Sequence, residues 1–387
     1  MKLYRNFVPA ALFFIFALLL SVLFSGCKKN VEDDGKDGFA PTPYPLQIPK
    51  YFPTKLNIPA DNPLTVEGVE LGRYLFYDTR LCGYTGACPD SMMSCATCHD
   101  QAHGFDVGID NPRFPGGVTY GLSGTPTPHS PLPLMNLVFN SEGYFWNGII
   151  YEENPNAARR TLENVVLMGI MAPHEMNSTA ERAVAAIKTD ARYPKMFERA
   201  FGTPEITIER IEKAIAQFIR VLVSGNSRFD AYLRGETQLS EQELRGYVLF
   251  STEEGADCYH CHGGGGAPLF TTNQFYNNGL DAEFNDTRDR YSVTGNLKDI
   301  GAYRAPTLRN ITVSAPYMHD GRFKTLDEVL EFYNSGLVNS PYIHPLMHKV
   351  SEGGASLTPS QIADLKAFLQ TLTDEEFLSK EEFSNPF

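Results

Sequence analysis

Two Cys-x-x-Cys-His motifs constrain this chain more than any other feature of its 387-residue sequence. The first motif spans Cys95–His99 and the second spans Cys258–His262. This pattern is typical of covalent c-type haem attachment, in which two thiols bond the haem vinyl groups and the adjacent histidine binds the iron. We therefore predict two covalently bound c-type haems, held by Cys95, Cys98 and His99 and by Cys258, Cys261 and His262.

The spacing of the cysteines weighs against the other common uses of a Cys-x-x-Cys pair. A zinc ribbon brings its second pair within about 15–20 residues of the first, whereas Cys95 and Cys258 are 163 positions apart. A thioredoxin-type redox pair needs no following histidine, yet both pairs here have one. The chain is therefore predicted to be a redox protein.

The N-terminus has the form of a bacterial export signal. Lys2 and Arg5 precede an apolar run from Leu12 to Phe24, which is too short to be read as a membrane-spanning helix. The run ends beside Cys27 in a pattern that resembles a lipobox, although Phe24 stands where leucine is usual. A lipid anchor at Cys27, or a plain signal peptide, would place the protein on the periplasmic or cell-envelope side, attached to the membrane in the first case.

The cysteine count fits an oxidising compartment. Of the seven cysteines, one is the lipidation candidate and four belong to the haem motifs, which leaves Cys82 and Cys88. A small local disulfide between these two is predicted, and two free thiols are the alternative.

The composition indicates an acidic globular protein. Hydrophobic residues make up 42% of the chain, enough for sizeable cores, and the formal net charge is −13. This charge argues against nucleic acid as a partner and leaves room for electrostatic steering by a basic partner protein.

The chain divides into five predicted segments. A signal peptide at 1–27 precedes a flexible tether at 28–60, which is rich in Lys, Asp, Pro and Gly. An N-terminal haem domain is predicted at 61–236 and a C-terminal haem domain at 237–376, with a tail at 377–387. The length that remains after signal removal is typical of two domains.

The secondary structure is predicted to be mainly α-helical with long loops. Apolar residues at helical spacing predict a buried helix over 208–222. Gly- and Pro-rich segments at 104–133 and 263–268 are predicted loops that wrap the haems. Capping boxes and a first-turn proline predict four further helix starts, at Ser178–Glu181, Ser240–Glu243, Thr325–Glu328 and Thr358–Gln361.

Further motifs resemble those of a known family. The first haem motif is followed by Phe-Trp-Asn-Gly at 145–148 and by Glu-Met at 175–176. The second is followed by Ala-Pro-Thr-Leu-Arg-Asn at 305–310 and Ala-Pro-Tyr-Met-His-Asp-Gly at 315–321. Over about residues 61–376, the chain resembles the bacterial dihaem cytochrome c peroxidase family, which includes the MauG-like enzymes.

The resemblance implies two cytochrome-c-like helical domains with a calcium ion at their interface. It implies that hydrogen peroxide is reduced to water at the N-terminal haem. The C-terminal haem would receive electrons from a small donor protein, such as a monohaem cytochrome or a cupredoxin. A homodimer is left open.

Two catalytic roles come from the resemblance. Glu175 matches the family's distal acid–base glutamate, and Trp146 matches an aromatic residue between the haems. Taken alone, Glu175 reads as a surface residue and Trp146 as a large core side chain. The glutamine that accompanies the glutamate in many members is not evident, because Val165 occupies its position with Asn164 beside it.

The sixth haem ligands define the predicted subtype. Standard members place a loop histidine on the resting N-terminal haem, whereas Leu122 occupies that position here, with His103 and His129 as nearby substitutes. Haem one is therefore expected to react without prior reduction. The methionine ligand of the C-terminal haem is replaced by Tyr333, as in MauG-like members, with Met318 as the fallback ligand and a core tyrosine as the alternative reading.

The resemblance also places a calcium site. Its positions match Ser130, Ser314 and Pro316, of which the last two would act through backbone carbonyls. Serine is a poorer oxygen ligand than the family's asparagine, so water and carbonyls would complete the shell.

Three functions follow in order of preference. The leading prediction is an exported, lipid-anchored dihaem peroxidase, and the alternative is a MauG-like oxidase that modifies a partner protein. A dihaem electron carrier without peroxide chemistry belongs to a different class, and it would need neither Glu175 nor Trp146.

Overall fold

The structure is a computed structural model that describes residues 39–84, 92–149, 161–263 and 266–387. Cys27 and Cys88 lie outside these ranges, so lipidation and the disulfide between Cys82 and Cys88 stay predictions. Within the described ranges, no helix is both long enough and apolar enough to cross a membrane.

The described chain is mainly α-helical, as predicted. Its helices in chain order are α1 Val66–Tyr77, α2 Leu162–Met171, α3 Ala180–Ile187, α4 Arg192–Phe201, α5 Ile208–Arg220, α6 Arg228–Leu233, α7 Glu241–Phe250, α8 Tyr259–His262, α9 Tyr291–Thr294, α10 Leu326–Ser335, α11 Pro359–Gln370 and α12 Glu375–Ser379. One short antiparallel pair joins β1 Phe275–Tyr276 to β2 Tyr303–Arg304. Short 3₁₀ turns lie at Thr79–Leu81, Cys95–Thr97, Gln101–His103, Leu137–Phe139, Leu297–Asp299, His348–Glu352 and Glu381–Phe383.

Glycines allow two helix pairs to pack very closely. Gly72 of α1 faces the backbone of Ala214 in α5, and a methyl group at Gly72 would overlap the Ala214 carbonyl. Gly246 of α7 faces the carbonyl of Asp364 in α11 in the same way. Each pair brings two backbones together and supplies the apolar face on which a core is built.

Apolar side chains form two main cores, one around each helix pair. Leu71 of α1 and Phe218 of α5 are buried in the first core. Phe250 of α7 and Phe368 of α11 are buried in the second.

The cores do not follow the predicted segments residue for residue. Phe229 of α6 belongs to the second core, while Phe377 and Phe383 of the predicted tail belong to the first. Residues from Pro41 to Phe387 form one compact unit, and the domain boundaries proposed from the sequence stay predictions.

Local capping signals located most helix starts. Side-chain caps confirm the predicted starts at Ser240, Thr325 and Thr358. The prediction at Ser178 is wrong by one residue, because the Thr179 side chain accepts the Arg182 amide and caps α3. The backbone amide of Ser178 instead donates to the Ile170 carbonyl at 2.9 Å, which ties Ser178 to the end of α2.

Candidate active site

A cavity of about 260 Å³ lies beside the first Cys-x-x-Cys-His motif. Cys95, Cys98 and His99 line it, together with Glu175 from the segment after α2 and with Trp146. The motif begins with a short 3₁₀ turn at Cys95–Thr97 and places both cysteines and the histidine in the lining of the cavity. The structure therefore gathers five residues that the sequence singled out.

His99 is held in the orientation that a metal ligand needs. Its Nδ1 atom lies 2.8 Å from the backbone carbonyl oxygen of Phe105. A proton on Nδ1 donates to that carbonyl, which leaves the lone pair on Nε2. Burial lowers the pKa of His99 to about 4, so the imidazole is neutral near pH 7 and suited to bind iron.

A second cavity, of about 200 Å³, lies beside the second motif. Cys258, Cys261 and His262 line it, together with Tyr333 and Met318. Both candidate sixth ligands of the second haem therefore lie in the cavity of the histidine they would face, and Tyr333 as the ligand stays a prediction.

The second motif repeats the arrangement of the first. The Nδ1 atom of His262 lies 3.0 Å from the carbonyl oxygen of Pro306, and burial lowers the His262 pKa to about 4. Burial also raises the pKa of all four motif thiols to about 12, so they are neutral thiols near pH 7. Two neutral thiols and a neutral imidazole that line the same cavity fit a covalently attached haem at each motif.

Glu175 places a titratable carboxyl group in the wall of the first cavity. About a third of its side chain is exposed (35%), and burial of the rest raises the pKa of its carboxyl group to about 7. Val165 lines the same cavity, while the Asn164 side chain accepts the Thr161 amide at the start of α2. Such an apolar wall offers little solvation to an ionised carboxylate, which is the cause of the raised pKa. A carboxyl that titrates near pH 7 can both accept and donate a proton.

The backbone of Glu175 is fixed by its neighbours. Its carbonyl accepts the Leu122 amide at 2.8 Å, and its own amide donates to the Ala172 carbonyl at 2.9 Å. His174 lines the same cavity, with Nε2 at 3.9 Å from Oε1 of Glu175. Sequence reasoning had not selected His174, because a histidine beside a glutamate has no distinctive pattern.

The two histidines proposed as substitutes for the loop ligand are engaged by aspartates. His103 has Nδ1 at 3.2 Å from Asp100 Oδ2 and Nε2 at 2.7 Å from Asp110 Oδ1. His129 lines the first cavity, but its Nε2 lies 2.7 Å from Asp286 Oδ2. These contacts occupy the nitrogens that an iron atom would need.

Trp146 lines both cavities and so lies in the wall between them. Its indole N–H donates to the Ser130 carbonyl at 2.8 Å, and the residue is 8% exposed. Its ring centroid is 6.4 Å from that of His319, which stacks on Tyr303 with centroids 3.7 Å apart. The Tyr303 hydroxyl donates to Asp286 at 2.7 Å, so a series of aromatic rings leads from Trp146 to a carboxylate.

Arg304 also lines both cavities, and sequence reasoning missed it. Its guanidinium donates to the carbonyls of Gly143 at 2.8 Å and Phe145 at 3.0 Å. Burial lowers its pKa to about 10, so it stays charged near pH 7. A buried cation held by neutral carbonyls is suited to pair with an acidic group of a bound cofactor. The one sequence signal that could have drawn attention to Arg304 is its position directly before the motif at 305–310.

The calcium candidates have mixed surroundings. The Ser130 hydroxyl is buried and has no hydrogen-bond partner among the described residues. Ser314 and Pro316 line the second cavity together with Asp106, a buried carboxyl whose pKa burial raises well above its usual range. The orphaned Ser130 hydroxyl is a group that an oxygen-bound cation would satisfy, although Ser130 lines the first cavity and not the second.

Comparison with known proteins gives consistent matches. The family model for di-haem cytochrome c peroxidases matches residues 66–238. Methylamine utilization protein MauG from Methylorubrum extorquens is 31% identical over 325 residues, which cover 84% of this chain and 83% of the relative. Cytochrome c551 peroxidase from Nitrosomonas europaea is 31% identical over 323 residues, 82% of this chain and 84% of the relative.

A solved structure extends the likeness to the fold. The crystal structure of a MauG-like protein associated with microbial copper homeostasis has 34% sequence identity with this chain and a TM-score of 0.73. The match covers 89% of this chain and 99% of that one. The helical architecture described above is therefore shared over nearly the whole of that protein.

Proposed function

This chain belongs to the di-haem cytochrome c peroxidase family, and from that premise we propose how its residues work. It is an oxidoreductase, a dihaem peroxidase that reduces hydrogen peroxide to two water molecules with two electrons and two protons. Peroxide is reduced in the cavity that His99 lines, and electrons from a small donor protein enter at the cavity that His262 lines.

The two haems are held by the residues of the two motifs. Cys95 and Cys98 would bond one haem and Cys258 and Cys261 the other, with the Nε2 atoms of the two motif histidines toward iron. When bound, the first iron supplies the coordination position that receives peroxide, and the second supplies electrons taken from the donor. Arg304 would pair with the acidic side groups that haem carries.

Glu175 is the observation that carries this proposal. It lines the same cavity as His99, and its pKa of about 7 allows either protonation state. Cleavage of the O–O bond requires a proton to move from one peroxide oxygen to the other. The Glu175 carboxylate accepts that proton from the first oxygen and returns it to the second, which leaves as water.

Trp146 connects the two cavities. Because its indole lies in their common wall, it offers an aromatic system through which electrons pass from the second cavity to the first. The hydrogen bond to the Ser130 carbonyl fixes the ring plane at that position.

Peroxide turnover by the holoprotein tests the function. A reduced monohaem cytochrome is supplied as the donor, and its oxidation is followed with and without peroxide. We expect two haems per chain that resist acid–acetone extraction, and donor oxidation at two equivalents per peroxide. A dihaem electron carrier would exchange electrons with the donor but would leave peroxide unconsumed.

A second candidate function is that of a MauG-like oxidase. It is favoured by the 31% identity with MauG and by Tyr333 in the second cavity. In this case peroxide would take its two electrons from a partner protein that is modified in the reaction, instead of from a small donor. Incubation with peroxide and the exported proteins of the same cell, without donor, should then change the mass of one of them; no change favours the peroxidase.

Calcium at the interface of the haem domains is a further part of the proposal. The orphaned Ser130 hydroxyl and the buried Asp106 carboxyl support it. A chelator such as EGTA should lower the melting temperature of the wild-type holoprotein, and added calcium should restore it. Ser130→Ala should weaken the response, whereas an EGTA-insensitive wild type would remove calcium from the scheme.

The exported location and the anchor at Cys27 complete the proposal. If Cys27 is lipidated, the protein should enter the detergent phase on phase separation, and Cys27→Ser should leave it in the aqueous phase or unprocessed. A wild-type protein whose mature N-terminus lies beyond Cys27 would have an ordinary signal peptide.

A further inference from the structure

A cluster of side chains of metal-ligand type lies at the second haem motif, and one of its members, His348, also lines the second cavity. Glu253, His260 and His348 each offer one ligand atom, and these atoms lie within 4.8 Å of one another. We call these three residues the His260 cluster. His260 stands between the motif cysteines Cys258 and Cys261, and the peroxidase scheme gives it no role.

A buried carboxylate forms a hydrogen bond with one imidazole of the cluster and lies close to the other. Asp257 Oδ1 lies 2.6 Å from Nδ1 of His260, and Asp257 Oδ2 lies 3.3 Å from Nδ1 of His348. The Asp257 side chain is only 5% exposed. The Asp257 carboxylate forms a hydrogen bond with Nδ1 of His260, which leaves Nε2 of His260 as the ligand atom. Such carboxylate–histidine pairs are the usual outer support of protein metal sites.

The third ligand stands next to the first. Nε2 of His260 lies 3.7 Å from Oε1 of Glu253. Asp257 itself is fixed in a turn with φ 56°, where its backbone amide donates to the Thr252 carbonyl at 3.2 Å. The central imidazole and its carboxylate are therefore set by the local backbone.

We propose that the His260 cluster binds a divalent first-row transition metal ion, Cu²⁺ or Zn²⁺. Two imidazole nitrogens and one carboxylate oxygen suit these ions, which bind imidazole more tightly than Mn²⁺ or Fe²⁺ do. Calcium and magnesium prefer oxygen ligands alone, so this site differs in kind from the proposed calcium site. A water molecule would complete a four-coordinate shell.

The cluster needs only a small closure to reach bonding distances. Zinc bonds of about 2.0–2.1 Å place tetrahedral ligand atoms about 3.3 Å apart. Glu253 and His348 are exposed and can rotate inward, while His260 keeps its place on Asp257. Binding would replace the weak attraction of exposed His–Glu pairs with metal–ligand bonds.

Metal titration of the holoprotein tests the site. Exchangeable metal is removed with a chelator, and Zn²⁺ alone is then added in a calorimeter; we expect one equivalent to bind per chain. Cu²⁺ in the same site should give an electron paramagnetic resonance spectrum with coupling to two nitrogens. His348→Ala should abolish this signal and the stoichiometric heat, and Asp257→Asn should weaken binding about 10–100-fold.

A neighbouring pair of glutamates supplies the matched control. Glu253→Gln removes a ligand, whereas Glu254→Gln makes the same charge change one residue away at another exposed position. Weaker Zn²⁺ binding in Glu253→Gln alone supports the site. Equal weakening in both variants, unchanged binding in His348→Ala, or no stoichiometric binding by the wild type would overturn the proposal. Calorimetry does not depend on peroxide turnover, so the outcome is independent of the proposed function.

Discussion

Gly169 and Glu175 are so close that a Cβ atom at Gly169 would lie 2.9 Å from Oε2 of Glu175. Gly169 lies within α2 and has no positive φ, so its backbone conformation is open to any residue. The absence of a side chain at Gly169 leaves room for the Glu175 carboxyl group. The Glu175 carboxyl therefore occupies space that is left by the missing side chain of a helix residue six positions earlier.

Gly169→Ala should separate fold stability from catalysis. Alanine in place of a helix-interior glycine is expected to stabilise α2 by up to about 1 kcal/mol. The added methyl group must push the Glu175 carboxyl oxygen aside by a few tenths of an ångström, so turnover should fall, but by less than the roughly 10²-fold that a displacement of about 1 Å can cost. Steady-state peroxide turnover and thermal unfolding measure the two effects.

Met168→Ala is the control for that prediction. Met168 is 42% exposed on the same helix and should tolerate the change with normal turnover. Full activity in Gly169→Ala would show that the carboxyl moves aside without loss, and the placement argument would fail.

Glu175→Gln should lower peroxide turnover about 10²–10⁴-fold, because the amide cannot accept and return the proton. Both haem spectra should be retained, since Gln has nearly the same shape. Glu181→Gln, a fully exposed position in α3, makes the same charge change and should leave turnover unaltered. Normal turnover in Glu175→Gln would assign the proton transfer to another group, with His174 the nearest.

The pH dependence of kcat/KM gives a second test of the same residue. Burial raises the Glu175 pKa to about 7, so its carboxylate fraction falls about tenfold per unit as the pH drops below that value. The carboxylate must accept the first proton, so wild-type kcat/KM should fall on the acidic side of about pH 7. In Glu175→Gln this decrease of kcat/KM at acidic pH should be absent. If the variant keeps the decrease, a different group is responsible for it.

Local signals explain what the sequence predicted well. Ser240, Thr325 and Thr358 were found as helix starts because a capping residue and its partner lie three residues apart in the chain. At Ser178 the same pattern gives the wrong cap. Thr179 caps α3 instead, and the Ser178 amide donates to the Ile170 carbonyl at the end of α2, a contact that the local pattern does not reveal. The haem motifs were clear because their chemistry requires adjacent residues.

Long-range contacts account for what the sequence did not predict. The motif that follows Arg304 in the chain draws attention to it but does not show that it is a buried cation, because its partners Gly143 and Phe145 come from a segment about 160 residues earlier. The sequence predicts a tail at 377–387, yet Phe377 and Phe383 of this segment pack in the first core. Burial and partners of this kind depend on tertiary packing alone.

Tyr333 and Met318 should respond differently to substitution if Tyr333 binds the second haem. The Asn278 amide donates to the Tyr333 hydroxyl at 2.9 Å and lies 3.8 Å from the Met318 sulfur. Burial raises the Tyr333 pKa, whereas the Asn278 hydrogen bond favours the phenolate that iron would bind. Tyr333→Phe should shift haem two toward high spin, and Met318→Leu should leave it nearly unchanged.

The opposite pattern would identify a His–Met haem. In that case Met318→Leu would alter the haem-two spectrum and remove a near-infrared band, while Tyr333→Phe would have no effect. Optical and magnetic circular dichroism spectra of the oxidised variants distinguish the two results.

Trp146→Phe should slow electron transfer between the two cavities while both haems remain attached. Phenylalanine keeps a ring but loses the indole and its hydrogen bond to the Ser130 carbonyl. Stopped-flow oxidation of a pre-reduced haem two by peroxide measures the step directly. Trp146→Leu should slow it further; equal rates in all three proteins would make Trp146 a packing residue.

The fully oxidised protein should react with peroxide as fast as the pre-reduced protein. The family resemblance predicts that Leu122 stands at the position of the loop histidine, and the Nε2 atoms of His129 and His103 each lie 2.7 Å from a carboxylate oxygen, of Asp286 and Asp110 respectively. Haem one should therefore be high-spin as isolated, and mixing with peroxide should change its spectrum without a prior electron. Substitution of His129 or His103 by glutamine should leave that spectrum as it is.

His174 is the remaining histidine to test, because it lines the first cavity beside Glu175. A low-spin haem one that turns high-spin only in His174→Asn would make His174 the resting ligand, and the protein would then need reduction before it reacts.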